Sequence, residues 1–136
     1  MAKKTWKQKY ETGSPQVEVL ERPMMGMAPG ARLYITTPRI MDASVRLIPY
    51  GQTKELTQIR AELAHANGAD ATCALTSGIF MRIIAELALE SLAGGAALTE
   101  VSPFWRVVKP NSPLANKLSC GAEHVAALRR AEGIVD

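Results

Sequence analysis

At 136 residues with 47% hydrophobic content, the chain is long enough for one domain with its own core and too short for two of ordinary size. Its formal charge of +3 tilts towards polyanionic partners, but Lys3, Lys4, Lys7 and Lys9 lie within the first ten positions, so the basicity belongs to the terminus and the rest is close to neutral. Cys73 and Cys120 are lone residues without CxxC spacing, a His cluster or a secretory start, which fits a reducing cytoplasm; Arg82, Glu86 and Glu90 interrupt the longest apolar-rich run, Leu75 to Leu98, which excludes a membrane span.

Met1 to Gly13 reads as a basic arm that either packs through Trp6 and Tyr10 or stays mobile. Gln16 to Leu20 and Ala31 to Thr36 alternate as strands do, separated by the loop PMMGMAPG, whose methionines fill gaps over a core or form an adaptable apolar surface. From Pro38 the period becomes helical, with Ile40, Val45, Leu47 and Ile48 on one side, until Tyr50-Gly51 turns the chain. Thr53 is the expected N-cap of a second helix with Leu56, Ile59, Leu63 and Ala64 on its inner face and Gly68 as its stop. Thr76 or Ser77 caps a third helix whose expected buried stripe is Ile79, Phe80, Ile83, Ile84 and Leu87, closed by Gly94-Gly95.

The segment Val101 to Val108, VSPFWRVV, holds two of the chain's seven aromatic residues and reads as a short core strand with Pro103 at its edge. The following KPNSPLANKLSCG would supply a wing, and Ala122 to Ala131 a closing helix. Two helices joined by a short Gly-containing turn, the second capped by Thr or Ser, form a helix-turn-helix pattern that presents the second helix's N-terminus outward. The expected class is mostly α with a small β component: a winged helix-turn-helix-like domain over residues 37–136, preceded by a basic arm and β extension over residues 1–36.

The ordered series IPYGQT, the helix pair, PFWRVV and a last helix ending in AEGI resembles the DNA-binding domain of the O6-alkylguanine-DNA alkyltransferases, over roughly Thr37 to Val135. That family's Pro-Cys-His-Arg-Val motif is matched by Pro103, Arg106, Val107 and Val108, but Phe104 stands at the reactive cysteine and Trp105 at the histidine. With KTW at Lys4 to Trp6 and TSGIF in the third helix, the chain more closely resembles small proteins built on that domain that lack the acceptor cysteine, as the alkyltransferase-like proteins do. Alkyl transfer needs a thiolate, which a phenyl ring cannot supply, so the resemblance implies DNA binding without repair chemistry.

Glu132 matches the glutamate that serves the cysteine in the enzymes; with Trp105 in the histidine's place it has an indole N–H to accept from and a structural role. Leu56 falls where the enzymes place the aromatic that swings out a base. For the arginine that fills the gap, Arg82 is one candidate, with Gly78, Ile79 or Phe80 as others.

The expected function is thus a non-enzymatic module binding double-stranded DNA through Thr76, Ser77, Arg82, Arg106, Lys109 and Lys117, sensing alkylated guanine in a pocket lined by Phe104 and Trp105, with no metal and no cofactor. The alternative is a protein-interaction domain on the same fold, suggested by the low charge of the folded part and by Glu86 and Glu90 on the third helix. A third reading is an enzyme using Cys73 or Cys120.

Overall fold

A computed structural model describes residues 3–135; Met1, Ala2 and Asp136, at the ends of the expected arm and closing segment, lie outside them. The order is α1 (Trp6–Tyr10), β1 (Gln16–Val19), β2 (Arg32–Ile35), α2 (Pro38–Arg46), α3 (Leu56–Ala66), β3 (Ala71–Thr72), α4 (Ala74–Ala93), α5 (Pro113–Lys117) and α6 (Gly121–Ala131). The chain is therefore mostly helical with a small three-stranded sheet, β1-β2-β3, in which β1 runs antiparallel and β3 parallel to β2.

The arm is folded against the body. Thr5 and Gln8 form a reciprocal cap at the start of α1, and the Tyr10 hydroxyl donates to Asp42 Oδ2 at 2.6 Å. A one-turn surface helix cannot hold itself together in water, so this hydrogen bond and the packing of α1 on α4 give it a defined place. In α2, Thr37 caps the Ile40 amide and Pro38 occupies the first turn, where its missing N–H costs nothing. Leu47, expected on the inner face, is 81% exposed because the helix ends at Arg46 and the chain turns before Ile48 goes inward.

Between the second and third expected helices lies a strand rather than a simple turn. Ala71 and Thr72 pair with Leu33 and Tyr34, and Thr72 Oγ1 donates to the Arg60 carbonyl at 2.7 Å. The second helix has Glu55 at its N-cap rather than Thr53 and begins at Leu56, because the Lys54 amide donates to the Arg106 carbonyl and holds the approach extended. α4 begins at Ala74 with Cys73 at its N-cap; Thr76 and Ser77 lie inside it. The buried Ser77 donates to the Cys73 carbonyl at 2.6 Å.

The phase of α4 also differs in part from expectation. Ile83 and Ile84 of the expected stripe are buried and Phe80 and Leu87 half-buried, but Ile79 points outward at 50% exposure, and Ser77, Met81, Ala85 and Ala88 join the inner side. A helix apolar around most of its circumference offers several equivalent stripes, and packing against α2 and the core turn selects one.

VSPFWRVV forms no strand. It is a buried segment wound into a 3-10 turn at Phe104–Arg106, with its amides bonded locally: Arg106 to Pro103 and Val108 to Phe104. The Trp105 and Val108 carbonyls accept from the buried Arg129 guanidinium, at 2.7 and 3.4 Å, so side-chain donors replace a strand partner. No wing follows it among the described residues; the segment expected to form one carries α5, capped by Ser112.

Phe104 is fully buried and meets Trp105 edge-on, their centroids 5.3 Å apart, in a core shared with Met41, Ile59, Met81 and Ile84. Replacing Phe104 by Ala is expected to cost about 3–5 kcal/mol, read as a large fall in melting temperature. Burial and the Asp42 hydrogen bond push the Tyr10 phenol up to about 12. Since the folded state holds that proton more tightly, its contribution to stability is present below the ordinary pKa of about 10 and lost as pH rises through about 12. Alkaline absorbance titration should show a late tyrosine that is missing from Tyr10→Phe.

Candidate nucleic-acid interface

The segments that carry the resemblance meet at one carboxylate. Glu132, just past α6, accepts from Arg106 Nε and Nη2 at 2.8 Å each, from the Trp105 indole at 2.8 Å and from the Gly51 amide at 2.9 Å. Arg106 Nη1 donates to the Ile48 carbonyl at 2.7 Å, and the Tyr50 hydroxyl to the Ala131 carbonyl at 3.1 Å. Gly51 is required here: its φ of +77° suits glycine, and a side chain would crowd the Glu132 carbonyl at 3.3 Å. IPYGQT, PFWRVV and AEGI are thus joined in one part-buried clamp.

The clamp decides several expected site residues. Arg106 spends its fork on Glu132 and the Ile48 carbonyl and keeps only 14% side-chain exposure, so it does not serve as a phosphate contact. Phe104 and Trp105, expected to line a base pocket, are core side chains with 0% and 2% exposure, and no opening reaches them. Ser77 is buried and bonded within its own helix, which removes it from a recognition surface; Thr76 is half-buried. Lys109 is exposed but pairs with Glu55 at 2.6 Å. Glu86, expected on an acidic surface, is buried and accepts from the Ser119 amide and hydroxyl, while Glu90 is exposed.

Arg82 and Lys117 are brought together. They border a groove of about 750 Å³ on the outer face of the first half of α4, and Lys9 from α1 joins them. Leu75, Gly78 and Ile79 form its α4 side; Leu56 contributes from α3, Trp6 from α1, and Ser112, Pro113 and Leu114 from around α5. Among the described residues, no carboxylate lines the groove. Arg82 Nε lies 3.9 Å from Glu86 Oε2 behind the groove, in ion-pair but not hydrogen-bond range, and the side chain keeps 42% exposure. Its guanidinium and the Lys9 ammonium sit 5.7 and 4.5 Å from the Trp6 ring centroid. Leu56, Gly78 and Ile79 meet in this groove, whereas Phe80 is half-buried and packs against the core.

No family model matches the chain, and no curated protein or solved structure matches it. The groove is therefore read on its own chemistry: an apolar floor, an indole wall and three convergent cations. Trp6, Lys9 and Leu75 were missing from the expected binding set. KTW marked the first, but nothing in the local pattern says that the arm folds back onto α4.

The two cysteines read as alternative nucleophiles do not line this groove. Burial pushes the Cys120 thiol up, outweighing the lowering effect of a backbone hydrogen bond, and the Glu86 charge raises it further; an activated thiolate needs the opposite shift. Cys73 is half-buried at the start of α4, and the described residues contain no His/Cys/Asp/Glu cluster suited to a metal. No described helix is long and apolar enough to cross a membrane.

Burial alone would push the Glu132 carboxyl up, but donors from Arg106, Gly51 and Trp105 outweigh it and hold it below the usual carboxylate value. A depressed folded-state value means that the stabilisation is present above the unfolded pKa of about 4.3 and lost as pH falls through the folded value. Glu132→Ala should cost about 3–5 kcal/mol at neutral pH, since it strands a largely buried guanidinium. Melting curves from pH 7 downward should show the wild type converging on the mutant in acid.

Proposed function

We propose that this protein is a non-enzymatic DNA-binding module that lays the outer face of α4 against DNA. The observation that carries the reading is the convergence of Lys9, Arg82 and Lys117 on one groove with no lining carboxylate. A polyanion gains attraction from the three cations, that of Arg82 partly offset by Glu86 behind it, and meets no carboxylate lining the groove. The resemblance to the alkyltransferase-like proteins supports the same partner, and Phe104 at the acceptor cysteine's position supports binding without alkyl transfer. Because Phe104 and Trp105 are closed into the core, the reading places no altered base between them.

The protein-interaction reading has one observation in its favour. Leu75 is 75% exposed and Ile79 50% exposed one turn apart on α4, a pattern suited to another chain's apolar residues.

Fluorescence anisotropy with duplexes containing and lacking O6-alkylguanine, at two salt concentrations, tests the DNA reading. Binding should weaken with salt at a slope of about −3 in log K against log salt, from three phosphates at about −0.9 each. The two duplexes should bind alike, and mass spectrometry after incubation with the alkylated one should show an unchanged chain. A methyl group added to Cys73 or Cys120 would refute the non-enzymatic assignment; salt-insensitive binding, or binding to neither duplex nor single-stranded DNA, would refute the DNA reading.

A further inference from the structure

The exposed positions on the first half of α4 are ill suited to reading a duplex. Leu75, Gly78 and Ile79 on the groove's α4 side offer no side-chain hydrogen bond to a base edge, which leaves Arg82 as the one α4 donor lining it, whereas recognition in the major groove depends on several such bonds. The same positions suit the flat face of an unpaired base. A duplex conceals its base faces in the stack and turns phosphates outward; a single strand presents both bases and phosphates.

We propose that this groove is a single-strand site, in which an unpaired base stacks on Trp6 and the adjoining phosphates meet Lys9, Arg82 and Lys117. The proposal rests on the DNA reading above and narrows it to the form of nucleic acid the groove accepts. Trp6 is half-buried in the groove wall, opposite the apolar face of α4. Its ring is flanked by the Lys9 ammonium at 4.5 Å and the Arg82 guanidinium at 5.7 Å, so a base at the indole lies within reach of cations for its own backbone. Lys9 is three residues beyond Trp6 on α1, and its flexible stem lets the ammonium move from the ring to a phosphate as the base arrives. The groove volume of about 750 Å³ falls within the range of about 300–1,000 Å³ typical of sites that enclose a small molecule. Charge complementarity selects an anionic occupant, and the indole beside an apolar floor selects one with planar faces.

Trp6 acts only because α1 is held in place. The Tyr10 hydroxyl donates to buried Asp42, which also accepts from Arg46 at 3.0 Å, and Arg39 lies 3.5 Å from Glu11. Tyr10 is thus a positioning residue for the indole wall.

The test compares a short oligothymidylate with a hairpin duplex of equal charge, using indole fluorescence and anisotropy on the full chain. The oligothymidylate should quench fluorescence and bind at least about fivefold more tightly than the duplex. Trp6→Phe should abolish the quenching, because Trp105 is buried away from the groove, while retaining most of the affinity. Trp6→Ala should weaken binding about five- to a hundredfold with circular dichroism unchanged. As a check independent of the arm's folding, Lys117→Ala should remove about 0.7 from a salt slope of about −2 expected for three single-strand phosphates. Equal binding of both nucleic acids with no indole quenching would overturn the single-strand site and leave the DNA reading standing. Binding of neither, with capture of an acidic amphipathic peptide in the groove, would overturn both.

Discussion

The Glu132 carboxylate is the constraint from which the rest of this structure can be reasoned. It lies past the end of α6 yet accepts once from the turn after α2 and three times from the buried core segment, so it joins three stretches far apart in sequence. A carboxylate with four donors is inexpensive to bury, since little of its lost hydration goes uncompensated. The consequence reaches the second helix as well. Once Arg106 is fixed, its carbonyl is placed to accept from the Lys54 amide, and α3 starts after that contact. The opposite side of the same segment is held by Arg129, which takes the Trp105 and Val108 carbonyls. A run of strand-forming side chains is thereby kept out of the sheet by Arg129, which satisfies two of its carbonyls, and by Glu132, which holds its Trp105 and Arg106 side chains.

This is why the fold was legible in parts. Helix spans followed from local signals: Pro38 behind Thr37, Gly94 at the end of α4 and the periodic run through α6 all act within a few residues of where they are read. β1 and β2 were visible in the alternation of QVEV and RLYI for the same reason. The core segment was not, because Val, Phe and Trp report a preference for extended backbone, whereas its conformation depends on an arginine about two dozen residues away, as the Arg129–Trp105 separation of 24 shows. β3 was missed because two residues carry no period. Only pairing with Leu33 and Tyr34 makes Ala71 and Thr72 a strand.

The site was legible to a different degree. Arg82 and Lys117 were named from charge and position, and both reach the groove; Arg106 was named on the same grounds and is held by Glu132 instead. Composition assigns a charge to a residue but cannot say which charges are already paired. The aromatic pair shows the same limit. Two adjacent rings suggest a pocket, yet large apolar side chains at a buried position fill the available space, and the T-shaped contact of Phe104 with Trp105 closes it.

What the core gives up, the surface supplies from an unexpected source. The Lys-rich arm accounted for the chain's net positive charge, and its fold-back along α4 brings part of that charge beside Arg82 and Lys117. A mobile arm would spread its lysines through solvent, where salt screens them beyond about 8–10 Å. An arm pinned through Tyr10 and Asp42 instead holds Lys9 and the Trp6 ring at one wall of a concave surface. The hydroxyl-to-carboxylate bond at 2.6 Å is thus more than a local tie. It turns a basic terminus into one side of the groove and links the electrostatics of the first ten residues to the outer face of the longest helix.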